Sequence, residues 1–106
     1  MKFDPNDLET LTAETALQMI SLYDEPTESE SIVMDAFEAA GFPYDTIGLD
    51  FSDPGNPKPG HMAVKFDEAM EKFFSIVDEL ESLDLVRTRP GDETVSLVDR
   101  WHPSED

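Results

Sequence analysis

The stretch AVKFDEAMEKFFSIVDELESL, residues 63–83, carries the longest periodic pattern in the chain. Its large apolar residues recur at intervals of four and three, the spacing of one face of an α-helix. They are Phe66, Met70, Phe73, Val77 and Leu80, with Ala69, Ile76 and Leu83 beside them. A stripe of this width exceeds the narrow seam of a two-helix coiled coil. We therefore predict a long amphipathic helix that packs on the core, with a homodimer through the same helix as the alternative.

The residues after this helix predict a β-hairpin. Residues 85–88 and 94–99 flank the tetrapeptide Arg89-Pro90-Gly91-Asp92. Proline followed by glycine suits the two central positions of a type II turn, because proline fixes its own φ and glycine accepts a positive φ.

Two further helices are predicted before residue 63. The first begins at Asp4, as its N-cap, and ends before the proline at position 26, with a break near residues 10–12. The second opens with a capping-box pattern, Thr27 followed three positions later by Glu30, and it stops at Gly41. Both helices carry an apolar stripe that would face a shared core.

A strand and a loop are predicted between the second helix and the long helix. Residues 46–51 alternate apolar and polar side chains, the period of a half-buried strand. Residues 53–60 hold three prolines and two glycines, a composition typical of an exposed loop. The order is therefore helix, helix, strand, long helix and hairpin. It predicts an α+β fold in one domain, residues 1–106, with a flexible loop at 52–61 and a short tail at 102–106.

The C-terminal third resembles the recognition helix and wing of winged-helix proteins. The residues concerned begin with Val77-Asp78-Glu79-Leu80-Glu81 and continue through residues 85–92 to residues 94–98. The resemblance implies a small α+β fold that binds DNA through its long helix. The family places a strand between its first and second helices, whereas the strand predicted here follows the second. Its recognition helix carries basic side chains towards phosphates, whereas this helix is acidic, so we take from the resemblance an expectation of fold alone.

The chain has 25 acidic residues against 7 lysines and arginines, a formal net charge of −18. Phosphates and anionic lipids repel such a surface, so we expect neither direct nucleic-acid binding nor membrane binding. A basic protein surface is the favoured partner. Hydrophobic residues make up 39% of the chain, which predicts a folded protein rather than an acidic disordered tail. We see neither a signal peptide nor a membrane span of ~20 apolar residues, and we expect the cytoplasm.

Six carboxylates of the long helix are the candidate partner-binding residues, together with two from the second helix. They are Asp67, Glu68, Glu71, Asp78, Glu79, Glu81, Asp35 and Glu38. The six span roughly 21 Å of helix, about one charge per 4 Å, close to the ~3.4 Å between charges along one DNA strand. We therefore predict a non-enzymatic nucleic-acid mimic that occupies the groove of a basic nucleic-acid-binding protein. In overall character the chain resembles the small acidic inhibitors that phages direct at restriction or CRISPR effectors.

Three other readings of the charge stay open. Each carboxylate taken alone is explained as the solvated face of an amphipathic helix. A winged-helix-like transcriptional regulator of a halophile would carry the same excess of acid and contact DNA through Arg87 and Arg89. Seven phenylalanines argue against adaptation to salt, which would be expected to trim large apolar side chains. A hydrolase with a carboxylate pair would need a concave site around a carboxyl group of raised pKa.

The remaining candidates favour structural roles, so we predict no catalytic residue, metal or cofactor. His61 and His102 lie 41 positions apart and lack a third ligand at metal spacing. The chain has no cysteine, which excludes disulfides and thiolate metal sites. We expect Trp101 to cover an edge of the core. The arginines of the hairpin region, Arg87, Arg89 and Arg100, are expected to pair with Asp84, Asp92, Glu93 or Asp99.

Overall fold

A computed structural model describes residues 3–50, 55–56, 58–89, 91 and 93–100, except for the side chains of Asp45, Leu49, Asp50 and Arg100. The fold is α+β, as predicted. The helices are α1 (Ala13–Ser21), α2 (Ser29–Ala39), α3 (Tyr44–Ile47) and α4 (Ala63–Ser82), with 3-10 turns at Leu8–Thr10 and Val98–Arg100. The strands are β1 (Thr27–Glu28), β2 (Leu49–Asp50), β3 (Lys58–Pro59), β4 (Val86–Arg89) and β5 (Thr94–Leu97).

The predicted break in the first helix is confirmed. Asp4 accepts a hydrogen bond from the Asn6 backbone N–H and begins a turn rather than a continuous helix. The α-helix starts only after Thr12, whose hydroxyl accepts from the Thr15 backbone N–H while the Thr15 hydroxyl accepts from the Thr12 N–H. This reciprocal cap satisfies two donors that the first turn would otherwise leave free.

The predicted capping box at Thr27 is wrong. Thr27 lies in β1, and its hydroxyl donates to the Glu25 carbonyl instead of capping α2. The N-cap residue is Glu28, and it makes no side-chain capping hydrogen bond. The end of the helix follows the prediction, because Gly41 adopts φ +97°, the left-handed conformation that closes many helices.

The three-stranded sheet has the order β1-β5-β4. β4 and β5 form the predicted hairpin, in which Arg87 lies opposite Ser96 and Arg89 opposite Thr94. Gly91 has φ +105°, which suits the second central position of a type II turn. Pro90 and Asp92 lie outside the described residues.

β1 corrects the predicted order of elements. It lies between α1 and α2, and it pairs antiparallel with β5. This is the position of the first strand that the winged-helix resemblance requires. The start of α2 is also fastened to the hairpin loop, since both the backbone N–H and the hydroxyl of Ser29 donate to the Glu93 carbonyl, at 3.1 and 2.9 Å.

The strand predicted at residues 46–51 is wrong over most of its length. Residues 44–47 form the single turn α3, and only β2 follows it. β2 pairs with β3, which lies inside the segment predicted as loop. A Cβ at Gly48 would come within 2.9 Å of the Tyr44 ring, so a larger residue there would displace this exposed side chain. Residues 51–54 and 57 of the predicted strand and loop lie outside the described residues.

The core lies between the three long helices and the three-stranded sheet. α4 has the predicted face: Ala69, Phe73, Val77 and Leu80 are buried. Phe37 of α2 is fully buried, and the rings of Phe3, Phe42 and Phe66 surround it at centroid distances of 5.9, 6.5 and 5.4 Å. The apolar stripe of α4 is thus used inside the chain, which leaves little of it for the predicted alternative of a homodimer seam.

Tyr23, just after α1, is tied to α2. Its hydroxyl donates to the Asp35 carboxylate at 2.5 Å. Burial, the hydrogen bond to Asp35 and the negative charge of that carboxylate raise the pKa of the Tyr23 hydroxyl above its ordinary value of 10.0. The proton on Tyr23 thus stabilises the contact between α1 and α2.

We expect Tyr23→Phe to make stability less sensitive to alkaline pH. The pKa of Tyr23 is higher in the folded than in the unfolded chain, so above pH ~10 the unfolded chain loses this proton first and stability falls, by at most about 1.4 kcal/mol per pH unit. Denaturant unfolding at pH ~8 and pH ~11 measures this loss, which should be smaller in Tyr23→Phe. Tyr44→Phe, at an exposed tyrosine, is the matched control. Equal losses in the wild type and both variants would contradict the assignment.

Candidate functional site

The outer face of α4 carries five exposed carboxylates. They are Asp67, Glu68, Glu71, Asp78 and Glu79, which we call the acidic face of α4. At ~100° per residue, three of them lie within ~40° of one another along the helix, and the other two form a second line about a quarter turn away. From residue 67 to residue 79 the face spans ~18 Å, or about 4.5 Å per charge, against ~3.4 Å along one DNA strand.

Glu81, the sixth predicted carboxylate of this helix, has a partner inside the chain. Its Oε2 accepts from the Thr88 backbone N–H at 3.1 Å and from the Thr88 hydroxyl at 2.8 Å. These hydrogen bonds hold the end of α4 against β4. Because Glu81 already serves this internal contact, we count the acidic face of α4 without it, although its exposed carboxylate can still accept further hydrogen bonds.

The two lysines of α4 point to the N-terminal segment. Lys72 donates from Nζ to the Leu8 carbonyl at 2.6 Å, and Lys65 donates to the Asn6 carbonyl at 3.3 Å. Both are half-buried. On the helical projection they lie between the buried stripe and the line formed by Glu68 and Glu79, and Glu68 is one turn from each of them. Their ammonium groups donate to backbone carbonyls of the N-terminal segment.

The two predicted residues of α2 do not join the acidic face of α4. Asp35 and Glu38 are exposed on the side of α2 opposite its buried residues, and Asp35 also holds the Tyr23 hydroxyl. The buried faces of α2 and α4 pack towards each other, as the contact of Phe37 with Phe66 shows. The outer faces of the two helices consequently point in different directions.

Every acidic side chain that the structure describes is exposed. Carboxylates lie on the N-terminal turn, on α1, on α2, on α4 and beside the hairpin. A carboxyl group with a strongly raised pKa usually sits in a buried, apolar environment. Because no described carboxylate does, the geometry gives no support to an acid-base pair of the kind a hydrolase uses.

The described strands of the hairpin carry two arginines, Arg87 and Arg89. Arg87 is exposed, and the residue opposite it in the sheet is Ser96 rather than a carboxylate. Arg89 is half-buried and lines a small cleft with Asp78 and Glu93. The Arg100 side chain lies outside the described residues. The register therefore places no carboxylate directly opposite Arg87 or Arg89, while Glu93, one of the predicted partners, lies beside Arg89 in the cleft.

Of the other candidate residues, the structure describes His61. His61 is exposed and its ring lies 6.4 Å from that of Phe42. Among the residues that the structure describes, no three histidine, aspartate or glutamate side chains come together as metal ligands would. Trp101 and His102 lie outside that part of the chain.

Comparison with known proteins returns no match to a family model, a curated protein or a solved structure. Within the described ranges, none of the helices combines the length and the apolar character that crossing a membrane takes. The functional assignment therefore rests on the surface itself.

Proposed function

We propose that this chain is a non-enzymatic interaction protein that mimics nucleic acid. In this proposal the acidic face of α4 enters the cationic groove of a nucleic-acid-binding protein in the cytoplasm and excludes its nucleic acid, as an anti-restriction or anti-CRISPR inhibitor would. The observation that carries it is the line of exposed carboxylates on α4, together with lysines of the same helix that are hydrogen-bonded elsewhere. Opposite charge would make association fast and sensitive to salt.

Capture from a host extract tests this proposal. With the immobilised chain as bait, we expect a basic protein to be retained at ~0.1 M salt and released at ~1 M salt, where the screening length falls from about 10 Å to about 3 Å. Duplex DNA added at the lower salt should also release it, because mimic and DNA compete for one groove. Retained proteins that DNA does not displace, or DNA that binds to the bait itself, would contradict the mechanism.

A winged-helix-like transcriptional regulator from a halophile is the second candidate. Two observations favour it: β1 lies between α1 and α2 and pairs with the hairpin, and Arg87 stands exposed on that hairpin. Such a protein would bind duplex DNA directly in concentrated salt. Fold alone does not decide the function, and the charge of α4 opposes phosphate contact through that helix.

A further inference from the structure

An open apolar groove of about 250 Å³ lies between α1 and α2. Met19 and Leu22 of α1, Phe3 of the N-terminal segment, and the small Ala36 and Ala39 of α2 line it. The two alanines leave the space between the helices that larger side chains would fill. None of the lining residues belongs to α4, so this surface is separate from the acidic face described above.

The groove is bordered by an exposed leucine, Leu22, which distinguishes it from a simple packing defect. Leu22 follows α1 directly and is 80% exposed, the most exposed of the large apolar residues described. A single exposed leucine is ordinary on a protein surface. Here it borders a concave apolar lining, so an occupant that fills the groove would also remove this side chain from water.

The volume favours side chains over a small molecule. Sites for drug-sized ligands usually enclose roughly 300–1,000 Å³ and bury most of the ligand. This groove is smaller and open. An amphipathic helix, by contrast, inserts only the few apolar residues of one face and leaves its other faces in water.

The charge around the groove selects a cationic occupant. From residue 3 to residue 57 the sequence contains thirteen aspartates and glutamates and no lysine or arginine. Glu14 lies one turn before Gln18 of the lining, and Asp35 lies one turn before Ala39; both carboxylates are exposed. A second copy of this chain would bring a further charge of −18 to the same place. The C-terminal residues of this chain are acidic as well, with Glu105 and Asp106 among them, so they do not match the charge of the groove either.

We propose that this groove docks a cationic amphipathic helix of a partner protein. Apolar side chains spaced at i, i+3 or i+4, and i+7 would enter the groove, and lysines or arginines on either side would meet Glu14 and Asp35. Loss of the acidic face of α4 would weaken this docking only modestly, through the lower net charge, because the two surfaces share no residue.

The test uses a synthetic leucine–lysine peptide of about 15 residues, the length at which isolated helices begin to form. Its leucines follow the helical spacing, and a control peptide of the same composition places them at alternate positions. Binding is measured by fluorescence anisotropy, with methyl NMR of the full chain to locate the contact. We expect the helical peptide to bind more tightly than its control and to shift the Met19 and Leu22 methyl signals.

Leu22→Ala should weaken binding of the helical peptide about tenfold or more, since a leucine side chain would no longer be buried. Leu83→Ala is the matched control, because Leu83 is 60% exposed but lies outside the groove; it should change affinity by less than about twofold. Equal effects of the two variants would overturn the proposal. A wild-type dimer that Leu22→Ala dissociates, or tighter peptide binding by Trp101→Ala, would also overturn it, because the groove would then be filled by a second copy or by the C-terminal residues.

Discussion

Reversal of three charges on α4, Glu71→Lys, Asp78→Lys and Glu79→Lys together, is expected to abolish capture of the basic partner. The three side chains are exposed and none belongs to the buried core; Asp78 also lines the small cleft that contains Arg89. Each reversal turns an attractive contact with a cationic groove into a repulsive one. Like charges brought together at an interface cost several kcal/mol, enough to lower affinity by a hundredfold or more.

Loss of folding would not explain this result. Glu71 lies one turn after Asp67 and Glu68, and like charges at that spacing destabilise a helix by about 0.2–0.5 kcal/mol per pair. Lysine at position 71 removes this repulsion, so the thermal midpoint of the variant should equal or exceed that of the wild type. The measurement is retention in the capture experiment, with circular dichroism to verify the fold.

The matched control reverses three exposed carboxylates away from α4: Asp24→Lys, Glu25→Lys and Asp99→Lys. Both triple variants carry a net charge of −12, since each reversal adds two to −18. We expect the control to retain the partner with a modest loss from weaker long-range attraction. If both variants lose the partner equally, overall charge and not the acidic face of α4 governs capture.

In dilute buffer the protein is expected to remain folded, with a thermal midpoint that rises as salt is added. At ~0.01 M salt the screening length is about 30 Å, twice the radius of gyration of 14.7 Å, so all the carboxylates repel one another. Close like-charge pairs on α4 cost only about 0.2–0.5 kcal/mol each. By comparison, each buried side chain of the size of Phe37 or Leu80 contributes about 1.5–3 kcal/mol, and the core contains many of them.

Circular dichroism during dialysis from ~1 M salt into dilute buffer measures this. A helical circular dichroism signal that is retained in dilute buffer supports a protein that folds at the salt concentration of an ordinary cytoplasm. Complete loss of the signal, recovered when salt is restored, would contradict it and favour the regulator of a halophile. Sodium chloride and potassium chloride should act alike, because screening depends on ionic strength and not on a specific ion site.

The features predicted well from the sequence are those whose cause lies within a few residues. The period of α4 runs through twenty residues, and Gly91 has the positive φ that the turn pattern predicted. Local pattern does not predict β1, because β1 is two residues long and is a strand only through its pairing with β5, more than sixty positions later. For the same reason the pattern predicts a helix cap at Thr27, although the sheet holds this residue.

The features of the candidate surface also fall into two groups, those that local sequence determines and those that depend on tertiary packing. Five exposed carboxylates of α4 follow from helical geometry and the position of the apolar stripe. The internal role of Glu81 depends on where Thr88 lies after the chain has turned back, and the groove beside Leu22 depends on how α1 and α2 pack. The local sequence pattern specifies neither the position of Thr88 relative to Glu81 nor the packing of α1 against α2. Small residues at Ala36 and Ala39, one turn apart on α2, were the only signal that a neighbouring helix leaves space there.

The double hydrogen bond from Ser29 to the Glu93 carbonyl has a mechanical consequence. It joins the first turn of α2 to the loop at the tip of the hairpin, while Glu81 joins Thr88, in the half of β4 nearer that loop, to α4. These two attachments hold the tip of the hairpin against the helices, so a force applied to the tip reaches two helices at once. A partner bound to Arg87 of β4 would therefore transmit force to α2 and α4 as well as to the hairpin.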